Sequence, residues 1–212
     1  MLRRFDLPDS LPLFPLPGAV VMPRARLPLQ IYEPRYLQMI EDALKTSHRL
    51  IGMIQPQEGA LEDLAQVGTA ARIVSFTEVD DGRYMITLGA VSRFRLTGVR
   101  PGFTPYLIGD ADWSDYPLDR GLQPETDPGF SRPGLLGKLR RFMDSHELST
   151  DWDAAETVED EMLVNSLSML LPFHPEEKQA LLEARNLTER RQMLDGLLDY
   201  ALLSGDKEET IQ

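Results

Sequence analysis

Three histidines, His48, His146 and His174, are the residues of this 212-residue chain best suited to moving a proton near neutral pH. They lie far apart in sequence, with no second histidine at helical spacing and no His-Glu-x-x-His, so a metal site has no nucleus. His174, between Phe173 and Pro175, reads as a turn residue or helix cap. Ser92, Ser166 and Ser168 act as nucleophiles only if folding brings a base beside them, and Gly-x-Ser-x-Gly is absent. There is no cysteine, which excludes thiolate nucleophiles, thiolate metal sites and disulfides. Gly134-Leu-Leu-Gly-Lys138 approaches a phosphate loop but lacks its four-residue spacing and the hydroxyl after lysine, and it sits inside an apolar helical pattern. The carboxylate pairs Asp80-Asp81 and Glu208-Glu209 fall where a hairpin turn and a frayed tail are expected. The expected catalytic, cofactor and metal residues are therefore none.

Arginine offers a different chemistry. Arg93 and Arg95 alternate with Phe94 and Leu96, so a strand there puts the arginines on one side; with no stacking aromatics and no basic surround, that side reads as an exposed strand face rather than an RNA stripe. The formal charge of −12 and pI ≈ 4.7 argue against phosphate-tracking nucleic-acid binding and against docking on anionic lipid. Residues 131–212 hold 9 Lys and Arg against 17 Asp and Glu, so the second part carries most of the negative field. The acidic run from Asp151 to Glu161 straddles a helix start, where carboxylates suit the dipole, and reads as a solvated face. No apolar run approaches the roughly 20 residues of a membrane span, and Asp6 and Asp9 interrupt the stretch after Arg3 and Arg4 where a signal core would lie. A cytoplasmic location is the expectation.

The elements that must position any site divide into two kinds. Pro12, Pro15, Pro17, Pro23 and Pro28 confine their β-prone runs to edges, strand ends or bulges, which suits a bent sheet of short strands. Pro34 presets a first helical turn, and Tyr36, Met39, Ile40, Ala43 and Leu44 form an apolar stripe, so the chain switches from β to α near Glu33. Leu50–Gln55, Val67–Val79, Tyr84–Gly89, Ser92–Val99 and Tyr106–Trp113 read as further strands, with a hairpin at Asp80-Asp81-Gly82. Residues 116–130, rich in Asp, Pro and Gly, read as a linker or surface loop. Beyond it, Ser131 caps a helix with Leu135, Leu136, Leu139, Phe142 and Met143 on one face. Thr157 with Asp160 approximates a capping box ahead of Met162, Leu163, Leu167 and Leu170; Pro172 stops that helix, Pro175 starts a short one through Ala184, and Thr188 caps a last helix striped by Met193, Leu194, Leu197, Leu198, Ala201 and Leu202.

Several of these segments resemble one family. The motifs are Leu11-Pro-Leu-Phe-Pro-Leu16, Val20-Val21 before a proline, Leu27-Pro-Leu-Gln-Ile31, Glu33-Pro-Arg-Tyr36, Val67-Gly-Thr-Ala-Ala71, Asp81-Gly-Arg-Tyr84 and Arg93-Phe-Arg95, then Asn165-Ser166, Lys178-Gln-Ala-Leu-Leu-Glu183 and Arg190-Arg191. In this order they are similar to the N-terminal, substrate-binding domain of Lon proteases. The resemblance implies an α+β fold: a strongly bent, partly closed, mostly antiparallel β subdomain with one helix over residues 1–115, then a helical bundle over 131–212. It further implies a non-catalytic module that binds unfolded or partly folded polypeptide, or a partner protein, in proteolysis or quality control. The ATPase and serine–lysine peptidase modules of a full Lon protease would lie outside this sequence.

For the contact residues the sequence nominates Arg24, Arg26, Tyr32, Glu33, Arg35 and Tyr36, a cluster of aromatic and bidentate-capable groups at the β-to-α switch. The competing reading makes Tyr36 core, has Tyr32 pack the seam between the two parts and leaves the arginines solvated. Family members often carry glycine after the proline of the second strand, where this chain has Arg24, so this loop is expected to be less free to take positive φ. Strand addition to a sheet edge, or an apolar groove, would serve a polypeptide client. Two other classes stay open on the sequence alone: a hydrolase assembled at the seam, and a small-ligand sensor using that seam as a pocket.

Overall fold

A computed structural model describes residues 7–57, 60–79, 81–100 and 103–209. Eight strands come first: β1 (Ser10–Pro15), β2 (Arg26–Ile31), β3 (Leu50–Ile54), β4 (Pro56–Gln57), β5 (Ala60–Leu64), β6 (Val67–Glu78), β7 (Tyr84–Arg100) and β8 (Ile108–Asp112), with α1 (Pro34–Lys45) between β2 and β3. A 3-10 turn at Pro117–Arg120 leads to α2 (Arg132–Ser145), α3 (Trp152–Thr157), α4 (Asp160–Leu170), α5 (Pro175–Glu183) and α6 (Leu187–Glu209). Six strands form one sheet in the order β2-β7-β6-β3-β1-β8, in which only β1 and β3 run parallel. Because the last residues of β7 also pair with β8, the sheet curls into a partial ring with β2 left as a flap.

The segments read as two separate strands, Tyr84–Gly89 and Ser92–Val99, are one 17-residue strand. Register shifts at Ala70/Ala71 and Ile73/Ser75 in β6, and at Leu96/Gly98 in β7, let this ribbon bend without ending. The Val20-Val21 segment, expected as a strand, joins no ladder; the Val21 carbonyl accepts a hydrogen bond from the Thr69 hydroxyl at 2.7 Å. Gly82 closes the expected hairpin with φ of +75°, although Asp80 lies outside the described residues.

Leu11, Leu13, Leu50, Ile54, Ala70 and Phe94 fill the inside of the ring. Space there is so short that a Cβ on Gly68 would stand 2.6 Å from the Met53 carbonyl oxygen and 2.9 Å from the Phe94 ring. On the outside, α1 lays Tyr36, Met39, Ile40 and Ala43 over Ile51, Ile73, Ile86 and Leu88. A third cluster joins Leu135, Leu139, Phe142, Leu163, Leu181, Leu194 and Leu198 of the helices to Val20, Met22, Ala25 and Val67 of the β part.

The helices begin and end by local rules, with two corrections. Ser131 does cap α2, accepting from the Gly134 amide at 3.3 Å. Thr157 caps nothing: it is the last residue of α3, its hydroxyl donating to the Asp153 carbonyl at 2.8 Å, and α4 starts after Glu159. Thr188 lies two residues past the actual cap, since Asn186 takes the Glu189 amide at 2.9 Å and so caps α6. In α4 the buried face is Leu163, Val164, Leu167 and Ser168, which leaves Leu170 on the far side and exposed.

Two glycine substitutions test these packing statements. Gly68→Ala, forced against main-chain atoms, is expected to lower the unfolding free energy by about 2 kcal/mol or more. Gly137→Ala, where an added methyl meets nothing within 4 Å in mid-helix, is expected to raise it by about 0.5–1 kcal/mol. Urea unfolding of both variants checks the pair.

Candidate functional site

Arg93, read from its alternating neighbours as part of an exposed face, is completely buried. Both faces of β7 are covered at this point: Phe94 turns into the ring and Arg93 turns under the helices. Its Nε and Nη2 meet the two carboxylate oxygens of Asp119 at 2.9 and 2.8 Å, and its main-chain N–H meets Asp119 Oδ2 at 2.7 Å. Nη1 donates to the carbonyls of Leu182, at 2.8 Å, and Ala184, at the end of α5, while the guanidinium plane lies 4.0 Å from the Tyr116 ring centroid. Asp119 and Tyr116, inside the stretch read as linker or surface loop, are therefore buried parts of a clamp.

A second buried set continues the seam. Arg190 donates Nη1 to Asn165 Oδ1 at 2.9 Å and Nε to the Leu181 carbonyl at 3.1 Å, and Asn165 in turn donates to the Pro23 carbonyl at 2.9 Å. Burial pushes the Arg190 guanidinium down to about 10. Arg24 ion-pairs with the buried carboxylate of Glu161 and donates to the Gln123 carbonyl at 2.9 Å. Contrary to expectation, Arg24 does adopt positive φ, +60°; its guanidinium bonds hold a backbone conformation that glycine would take without strain.

The nominated cluster does not converge. Arg24 points into the seam, Tyr36 is core against Phe14 with ring centroids 4.5 Å apart, and Glu33 binds Arg35 at 2.7 Å, with the Arg35 guanidinium over the Tyr36 ring. Tyr32 packs no seam: it stands 66% exposed at the end of β2, and Arg26 is exposed at the other end. Sequence reasoning assigns no seam role to Arg93, Asp119, Glu161, Asn165 or Arg190; Arg93 reads with Arg95 as an exposed face, Glu161 as part of a solvated acidic run, and the only signal for Asn165 and Arg190 is their place in the Asn165-Ser166 and Arg190-Arg191 motifs.

No reacting group emerges from the described residues. Ser92 and Ser168 donate to the carbonyls of Arg93 and Val164. Ser145 Oγ and His146 Nδ1 lie 3.0 Å apart, but both also face the Phe142 carbonyl at 2.9 Å and close the end of α2. His174 precedes α5, its amide donating to Glu177 at 2.8 Å. Among the described residues no group of three metal-ligating side chains forms, and no helix is long and apolar enough to cross a membrane.

Among the described residues, two concave surfaces bordering the seam and one projecting surface bear on function. A groove of about 840 Å³ runs between Leu118, Leu122, Pro124 and Glu125 and the start of α6 at Leu187 and Glu189. A smaller one, about 400 Å³, lies at the seam between Gln55, Pro56, Pro175, Gln179 and Glu183; Gln55 and Gln179 spend their amides on each other and on the carbonyls of Pro175 and Val67. The projecting surface is the far half of the β6–β7 hairpin, where Val74, Phe76 and Met85 are exposed and the Phe76 and Tyr84 rings meet at 4.8 Å.

A family model for the ATP-dependent protease La (LON) substrate-binding domain matches residues 10–199. The chain belongs to this Lon family. Lon protease 2 of Myxococcus xanthus is 27% identical over 209 residues, covering 94% of this chain and 24% of the relative. Lon protease 2 of Sorangium cellulosum is 31% identical over 106 residues, 47% of this chain and 13% of the relative. The chain thus spans less than a quarter of the length of these Lon proteases. Among solved structures, the Lon N-terminal domain protein from Xanthomonas campestris superposes with a TM-score of 0.60 at 24% identity, covering 87% of this chain and 96% of that one. The N-terminal domain of Mycobacterium avium complex Lon protease gives 0.64 at 16% identity, covering 90% and 98%. These two likenesses establish the fold as that of Lon N-terminal domains.

Arg24 supplies the test of the seam. Arg24→Gly relieves the backbone but strands Glu161, so it is expected to destabilise by about 1–3 kcal/mol at pH 7. Burial already raises the Glu161 pKa above its ordinary value, which means folding favours the protonated acid. The loss should therefore shrink as pH falls toward the ordinary glutamate range, and adding Glu161→Gln should recover part of it at pH 7. Thermal unfolding of the three proteins at pH 5 and pH 7 checks both signs.

Proposed function

We propose that this chain is a non-catalytic recognition module for unfolded or partly folded polypeptide, serving ATP-dependent proteolysis or protein quality control. The observation that carries the reading is the substrate-binding family match across residues 10–199. The chemistry of the molecule supports it. Arg93, Asp119 and Asn165 of the seam are engaged in holding the two parts together, whereas the β6–β7 hairpin offers apolar and aromatic side chains to solvent. A contiguous exposed apolar patch is a candidate contact site. Of the nominated contact residues, Arg26 on the flap strand and Tyr32 just past its end are the two exposed ones, which supports their meeting parts of a client that reach across β7 from the hairpin edge. The net charge of −12 favours neutral or basic clients and disfavours nucleic acid and anionic membrane. On this reading the setting is the cytoplasm, consistent with a chain that has no cysteine.

The test is direct binding of the full chain to a reduced, iodoacetamide-alkylated protein that cannot refold, with its native form as control. Saturable binding of the unfolded form alone, measured by fluorescence anisotropy, is the expected result. Binding no better than background at low and moderate salt would remove the proposal.

A further inference from the structure

The two free edges of the sheet differ in what their main chains present. Ala90 N–H donates to Ala25 O, and the β2–β7 register then makes Leu27, Leu29 and Ile31 the residues hydrogen-bonded to β7. Arg26, Pro28 and Gln30 face outward, and Pro28 has no N–H to offer there. That edge is blunted against pairing.

The other edge is open. Val79 N–H donates to Arg83 O, so alternation along the hairpin makes Thr77 and Ser75 the residues bonded to Met85 and Thr87. Phe76 and Glu78 consequently turn their N–H and C=O groups away from β7. The partner strand on that side, β3, stops short: its register runs from Leu50 opposite Arg72, and the last contact is Ile73 N–H on the Arg49 carbonyl. Residues 74–78, Val-Ser-Phe-Thr-Glu, are all exposed and contain neither proline nor lysine. Among the described residues no further strand pairs with them.

Resting on the reading of this chain as a polypeptide-recognition module, we propose that β6 residues 74–78 bind an extended client segment by strand addition, pairing its main chain with Phe76 and Glu78. Outward N–H and C=O groups on alternate residues are complementary to an extended backbone of any sequence, which suits a client pool with no common motif. The Phe76–Tyr84 ring pair gives one side chain of the added strand an aromatic shelf. Charge selects the occupant further. Glu78 has no ion-pair partner among the described residues, while Asp81 is already paired with Arg83, so a segment carrying Lys or Arg near Glu78 fits. A second copy of this chain would bring another −12 against the same edge.

The probe is an eight-residue peptide of alternating Val and Thr with a lysine at each end, in three forms: unmodified, N-methylated on one alternate set of residues, and N-methylated on the other. Only one set can face β6. Methylation of that set is expected to weaken binding to the full chain by about tenfold or more, and methylation of the other set to leave it unchanged. Phe76→Pro removes an outward N–H that the sheet does not use, so it should fold and bind the unmodified peptide about tenfold more weakly than Phe76→Ala. Equal effects of the two methylation sets, equal affinities of the two Phe76 variants, or binding of alkylated unfolded protein without any binding of this peptide would each overturn strand addition while leaving polypeptide recognition intact. Loss of binding to every unfolded polypeptide overturns both. A chain that sediments as a dimer and becomes monomeric in Phe76→Pro would assign the edge to a second copy and overturn the proposal.

Discussion

A guanidinium with no access to solvent persists only if its hydrogen bonds are met inside the protein, and Arg93 meets them with atoms from two regions distant from it in sequence. Asp119 comes from the stretch after the last strand, the carbonyls of Leu182 and Ala184 come from the end of α5, and Tyr116 covers the plane. Removing one partner of such a pair strands the other charge, at a cost of about 3–5 kcal/mol, so the set forms together or not at all. The position of the helices on the ring depends on this clamp more than on any local rule. Arg190 with Asn165 and the Leu181 carbonyl, and the partly exposed Arg24 with Glu161, add further polar ties along the same seam, although Arg190 Nη2 has no partner among the described residues. Buried polar networks of this kind fix one arrangement among the several that apolar packing alone would tolerate.

That rigidity separates the two jobs of the molecule. The seam commits Arg93, Asp119, Glu161 and Asn165 to structure, and the smaller groove there is lined by Gln55 and Gln179, whose amides are already engaged. The hairpin of β6 and β7 projects away from it, held at its base by α1 and the ring, with five consecutive exposed residues along one edge. A surface that must accept many clients gains from main-chain complementarity, because every client has a backbone. A net negative molecule keeps its own copies apart while leaving basic segments free to approach.

Much of this was legible in the residues. The proline-limited strands at Ser10–Pro15 and Arg26–Ile31, the switch into α1 at Pro34 and the helical stripe Leu135 to Met143 follow from periodicity and backbone chemistry and are found in place, whereas the Val20-Val21 run joins no ladder. Helix starts were legible only to within a few residues, because Thr157 and Thr188 are acceptable caps that lost to neighbours better placed by packing. Arg93 was illegible for a deeper reason. Its burial is decided by a carboxylate 26 residues away and by carbonyls some 90 residues away, and no pattern within one strand carries that information. Arg24 misled in the opposite direction: a residue disfavoured at positive φ is held there by bonds that sequence spacing does not reveal. The hairpin edge needed two facts at once, the register of β6 on β7 and the early end of β3.

The central claim is that clients meet the hairpin edge and leave the seam untouched. Residue-resolved amide hydrogen exchange of the full chain, with and without saturating alkylated unfolded protein, examines both places in one experiment. The account predicts slowed exchange at Phe76 and Glu78, with no change at Leu187 or Glu125 in the groove beside α6. Protection confined to that groove, with Phe76 and Glu78 exchanging as in the free protein, would contradict it.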